Sequence, residues 1–133
     1  MPLIDKALLD KVTEQAKESP RLRMNYNLHE ALEEPVQRLL NVFEMGTVLP
    51  IHCHKDTAET YVLLRGRIKV LFYDETGRET ETFILDHAEG NYGIHMPKGQ
   101  WHTIEILESG SAIFEVKEGP YRPLDADELM GGK

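Results

Sequence analysis

Three histidines and a glutamate define the chemistry this chain could perform. His52 and His54 stand two residues apart, Glu59 follows five residues later, and His102 lies far downstream in Pro97-Lys98-Gly99-Gln100-Trp101-His102. Three imidazoles and one carboxylate form a mixed nitrogen and oxygen donor set suited to first-row divalent metals, with zinc, iron, manganese and nickel all admissible. On an extended strand, residues i and i+2 project from one face, so His52 and His54 can reach a single ion while Cys53 points the other way. Glu59 lies past a short polar loop that can swing its carboxylate back to the same point. An octahedral ion held by four side chains keeps two positions for water, oxygen or a chelating substrate, whereas a tetrahedral zinc on the same four is closed and structural. Glu59 is therefore the candidate catalytic residue as well as a ligand, since a carboxylate that detaches can serve as a base.

A second polar feature lies upstream. Arg21, Arg23, Asn25, Asn27 and His29 alternate with Leu22, Met24, Tyr26 and Leu28, the period-two signature of a strand with one polar and one apolar face. If that face lines the mouth of the fold, Arg23, Asn25, Asn27 and His29, with Arg38 nearby, are the residues to hold a polar or anionic small molecule beside the metal. If it lies on an edge strand, the same polar groups discourage pairing with another chain. His95 reads as a partly buried polar residue, Cys53 as a buried thiol, and the aromatic residues Tyr61, Phe72, Tyr73 and Trp101 as packing.

Positioning these residues requires a β scaffold. From Leu3 to Lys17 the apolar residues Ile4, Ala7, Leu8, Val12 and Ala16 recur at helical spacing, and Ser19-Pro20 stops the helix. Strands are expected at Arg21–His29, Val36–Glu44, Val48–His54, Tyr61–Leu64, Ile68–Tyr73, Thr80–Leu85, Ile94–Met96, Trp101–Leu107 and Ala112–Val116, separated by turn residues. The expected organisation is one domain: an N-terminal helix over 1–20 packed on a barrel over 21–120, and a tail over 121–133 that is either a short helical turn or a frayed, solvated end. The fold class is all-β, an antiparallel sandwich or barrel with an N-terminal α-helix.

Composition narrows the partners. Fifteen Lys and Arg against 23 Asp and Glu give a net charge of −8, so phosphate backbones and anionic membranes repel the chain and nucleic acid is not an expected partner. The single cysteine rules out an internal disulfide and suits a reducing compartment. No apolar run approaches the ~20 residues needed to span a bilayer, so the expectation is a cytoplasmic protein outside the membrane. The opening helix and free sheet edges make a homodimer the expected assembly.

The stretch from Gly46 through His52, His54 and Glu59 to Gly66 resembles the first motif of the cupin family: glycine, five residues, His-x-His, a short spacer, Glu, six residues, Gly. Pro97 to His102 resembles the second. The runs Ser19–His29, Pro35–Arg38, Leu63–Arg67 and Phe114–Tyr121 are further similar to the WbuC-type cupin-fold metalloproteins, over essentially the whole chain. The resemblance implies an antiparallel jelly-roll (cupin) barrel, His52, His54, Glu59 and His102 as the metal set, and a setting in surface-polysaccharide biosynthesis. Three functions follow: a metalloenzyme of oxygenase or isomerase type acting on a sugar or sugar-acid derivative, a non-catalytic metal-dependent binding or sensing module, and a structural zinc protein.

Overall fold

The computed structural model describes residues 3–132; Met1, Pro2 and Lys133, at the ends of the expected helix and tail segments, lie outside the described residues. Helix α1 spans Lys6–Glu18. It starts where the Asp5 carboxylate accepts the Leu8 N–H at 2.9 Å, which satisfies one of the unpaired amides of the first turn. It ends at Ser19, whose extended backbone leads into Pro20.

Eight strands follow: β1 (Arg23–Asn27), β2 (Val36–Phe43), β3 (Glu59–Arg65), β4 (Ile68–Tyr73), β5 (Glu79–Leu85), β6 (Gly93–Met96), β7 (Trp101–Ile106) and β8 (Ser111–Glu118). They form two antiparallel sheets, one in the order β1-β2-β8-β3-β6 and the other β5-β4-β7. The core between the sheets gathers Phe43, Tyr61, Leu63 and Ile113 from the larger with Val70, Phe72, Ile104 and Ile106 from the smaller. On the outer face of the larger sheet, Leu9 and Val12 of α1 bury Leu40, Val42 and Ala112, with Met24 and Tyr26 packed alongside. Burial of these apolar faces, each at the period of its own element, drives the assembly. No helix among the described residues is long and apolar enough to cross a membrane.

Register fixes which side chains share the inner face. Gln37, Lys117, Glu59 and Met96 lie in one row across the larger sheet, and Asn27, Leu39, Glu115, Tyr61 and Ile94 in the next. Because side chains alternate along each strand, these rows face the inter-sheet core together.

Two expectations need correction. Val48–His54 is not a ladder strand: it makes isolated bridges only at His52, to His102 on one side and Leu129 on the other. Pro50 has no N–H to donate, and the Thr103 hydroxyl instead bonds the Leu49 carbonyl at 3.0 Å. The tail takes the helical-turn reading, and the solvated-end reading does not hold. It forms two short 3-10 turns at Ala126–Glu128 and Met130–Gly132, and Glu128 is fully buried. Its backbone clamps the histidine segment, with Cys53 N–H donating to the Glu128 carbonyl at 2.9 Å and Met130 N–H to the Ile51 carbonyl at 2.9 Å.

Candidate metal centre

His52 and His102 are brought together by backbone pairing. Each donates its N–H to the other's carbonyl, at 3.0 and 2.8 Å, and their ring centroids lie 4.3 Å apart. Each ring is also fixed by the carbonyl two residues before it: His52 Nδ1 lies 3.0 Å from the Pro50 oxygen and His102 Nδ1 lies 2.9 Å from the Gln100 oxygen. A carbonyl can only accept, so Nδ1 carries the proton on both rings and each Nε2 presents a lone pair, the form a metal requires.

Glu59 opens β3 and projects into the same space. A ligand atom from each of His52, Glu59 and His102 lies within 4.8 Å of the others. Glu59 Oε1 and His102 Nε2 face each other at 3.6 Å and both are buried; His102 Nε2 has no hydrogen-bond partner among the described residues, and the Glu59 oxygen is otherwise met by His54. Two buried acceptors facing one another are costly unless a cation sits between them, and a histidine–carboxylate donor set fits a divalent metal. His54 Nε2 lies 3.0 Å from the same Glu59 oxygen, so the fourth sequence candidate stands beside the three that converge. His52 and His54 line one cavity of about 230 Å3 together with Glu59. Cys53 is buried on the other side, where burial raises its thiol pKa.

The electrostatics favour neutral His52 and His102 rings and an ionised Glu59. Burial lowers the His52 imidazole to about 4, with neighbouring His102 adding to the effect, and burial likewise lowers His102. Burial alone would push the Glu59 carboxyl up, but His54 and His102 outweigh it and hold the group below the usual carboxylate range.

Several residues at the centre were not singled out as site residues from the sequence. Glu115 is buried on the row behind Glu59, and burial followed by the Glu59 charge raises its pKa. Tyr61, fully enclosed beside both carboxyls, has its hydroxyl pKa raised by burial first and then by their charge. Lys117 Nζ lies 3.8 Å from Glu115. The available signal was parity in β8, where Glu115 and Lys117 alternate with the apolar Phe114 and Val116. Tyr61 carried no such signal, because an aromatic residue in a strand reads as packing.

The upstream stripe divides. Asn25, Asn27 and His29 line a cavity of about 270 Å3 together with Gln37, Lys117 and Tyr121. Lys117 and Tyr121 also line the metal cavity, so the two share a wall. β1 is at the same time the sheet edge, so both readings of the stripe describe one strand. Arg23 is turned to the Val48 carbonyl, which its guanidinium meets at 3.2 Å. Arg38 does not bring its side chain to the cavity, because it alternates with inward-facing Gln37 and Leu39 and is exposed on the opposite face. Its backbone N–H instead donates to His29 Nδ1 at 3.2 Å. His95, expected to be partly buried, is exposed and meets the Thr60 hydroxyl at 3.0 Å.

Comparison with known proteins supports the fold. KdgF from Halomonas sp. superposes with a TM-score of 0.61 at 17% identity, over 78% of this chain and 84% of KdgF. The cupin domain of Schizosaccharomyces pombe Cnp3 gives a TM-score of 0.58 at 14% identity, over 72% of this chain and 64% of that one. Bacillus subtilis oxalate decarboxylase, whose centres hold Mn(II), gives 0.56 at 21% identity over 76% of this chain but 26% of its own. No curated protein matches the sequence. A family profile does match, over residues 4–85. The chain thus has the jelly-roll fold of the cupins and belongs to the family described as a domain of unknown function, DUF6016.

Proposed function

We propose that this protein is a metal-dependent cupin enzyme that acts on a polar metabolite such as a sugar or sugar-acid derivative, in the surface-polysaccharide setting its WbuC-type resemblance implies. One observation carries the metal reading: the buried, unpartnered His102 Nε2 faces the buried Glu59 carboxylate, and both converge with His52. His52, Glu59 and His102 would hold the ion, with His54 as the fourth ligand once its contact with Glu59 is exchanged for the metal. The ion when bound supplies a Lewis acid or an oxygen-binding centre. The chain's own residues do the rest. The carbonyls of Pro50 and Gln100 hold the two rings in the ligating tautomer. The apolar wall of Phe43, Leu49 and Ile104 limits water in the cavity, and Glu59 is the carboxylate placed to accept a proton from a ligand there.

The cavity beside the ligands favours an accessible centre over a closed structural zinc. A binding or sensing module would use the same pocket without turnover. Metal-reconstituted protein incubated with a panel of sugars and organic acids, with and without oxygen, distinguishes the two. Product formation that disappears in His52→Ala supports the enzyme, and saturable metal-dependent binding with no product supports the module.

A further inference from the structure

Lys117 stands at the junction of the two cavities. In the register of the larger sheet it lies directly between Glu59 on β3 and Gln37 on β2, one strand spacing of roughly 4.8 Å from each. It lines the metal cavity and the Asn25–Asn27–His29 cavity alike. Its side chain is 22% exposed, and among the described residues the one ion pair it makes is with Glu115, at the outer limit of such a contact at 3.8 Å. Arg122, the other cation on the metal cavity, is already taken by Glu128, whose carboxylate it meets at 2.6 and 2.9 Å.

The charge count follows, resting on the metal reading given above. A divalent ion is balanced by Glu59 and Glu115 if both are ionised, which leaves the positive charge of Lys117 over. If Glu115 holds a proton the excess is larger, so the sign does not depend on its state. A mostly buried ammonium facing two cavities favours an anion. Beyond it, the amides of Asn25 and Asn27 offer donors and acceptors matched to hydroxyl groups.

We propose that the ligand is a hydroxylated carboxylic acid, with its carboxylate held between the metal and Lys117 and its hydroxyl-bearing chain lying along Asn27 and Asn25. Lys117 is then the residue that selects acids over neutral polyols, and the second cavity accounts for the length of the ligand.

The test is calorimetric titration of protein whose metal content has been measured at one equivalent, with two matched pairs of probes: gluconate against sorbitol, and galacturonate against galactose. Each acid should bind about 10- to 100-fold more tightly than its neutral partner, the range of one charge-assisted hydrogen bond. Lys117→Met should abolish that preference at unchanged metal content, and Lys117→Arg should keep it. Asn27→Asp, at an exposed position, should weaken binding of the acids by a larger factor than binding of the neutral probes. Failure to load metal overturns the underlying metal reading. Normal metal loading with equal or absent binding of the acids, or a preference that survives Lys117→Met, overturns this inference alone.

Discussion

His52 and His102 are held opposite one another by a reciprocal pair of backbone hydrogen bonds, 3.0 and 2.8 Å long, and each is aimed by the carbonyl two residues before it. One residue comes from an irregular segment and the other from β7, so a ligand pair distant in sequence is fixed by two backbone bonds and two ring bonds. The chain's own backbone and carbonyl bonds therefore hold this ligand pair in place.

Metal removal should consequently leave the fold standing. Neither hydrophobic cluster includes a candidate ligand. A bound ion at about 100 times its dissociation constant adds about 2.7 kcal/mol, so chelation should lower Tm by about 10 °C while the far-ultraviolet circular dichroism at 25 °C stays unchanged. Unfolding on chelation would instead indicate a structural zinc.

Gly66, the last residue of the first motif, has a structural role. Its φ is +91°, and a Cβ there would lie 2.7 Å from the Ser111 backbone Cα. Gly66→Ala should cost about 2 kcal/mol or more, read as a lower urea midpoint, because both the left-handed conformation and the clash with backbone oppose it. Metal stoichiometry of the folded fraction should not change.

Glu128 latches the tail to the histidine segment. Its carboxylate accepts from Arg122, from the Lys55 N–H at 2.9 Å and from the Asp125 N–H at 3.0 Å. The Arg122 hydrogen bond is the main reason its pKa falls to about 2. The folded pKa lies below the unfolded one, so the stabilisation is complete above the ordinary glutamate range near 4.5 and is lost as pH falls toward 2. Glu128→Gln should lower stability at pH 7 by about 2–3 kcal/mol in urea unfolding, and the gap from wild type should narrow at pH 3.

What the sequence revealed, and what it concealed, follows from the range of the interactions. The alternation of Arg23, Asn25 and Asn27 with Met24 and Tyr26 is local, and it placed the polar side chains on one face of β1. The spacing of His52, His54 and Glu59 is likewise local, and the structure places all three on one cavity. The Val48–His54 segment misled because its apolar residues read as a strand while Pro50 removes a ladder donor. Glu128 was invisible as a structural group, since an acidic residue near the chain end reads as solvated until Arg122 and the Lys55 amide are known to surround it. Arg38 was misjudged for a related reason: one step of strand parity turns its side chain to the outer face.

The central claim is that His52, Glu59 and His102 hold a divalent metal. Elemental analysis of protein purified without added metal, side by side with His52→Ala, tests it most directly. The account predicts close to one equivalent of a first-row transition metal per wild-type chain, and an affinity about 100-fold or more lower in the folded variant. A wild-type chain that takes up no metal even when it is supplied, or a variant that binds as tightly as wild type, would contradict it.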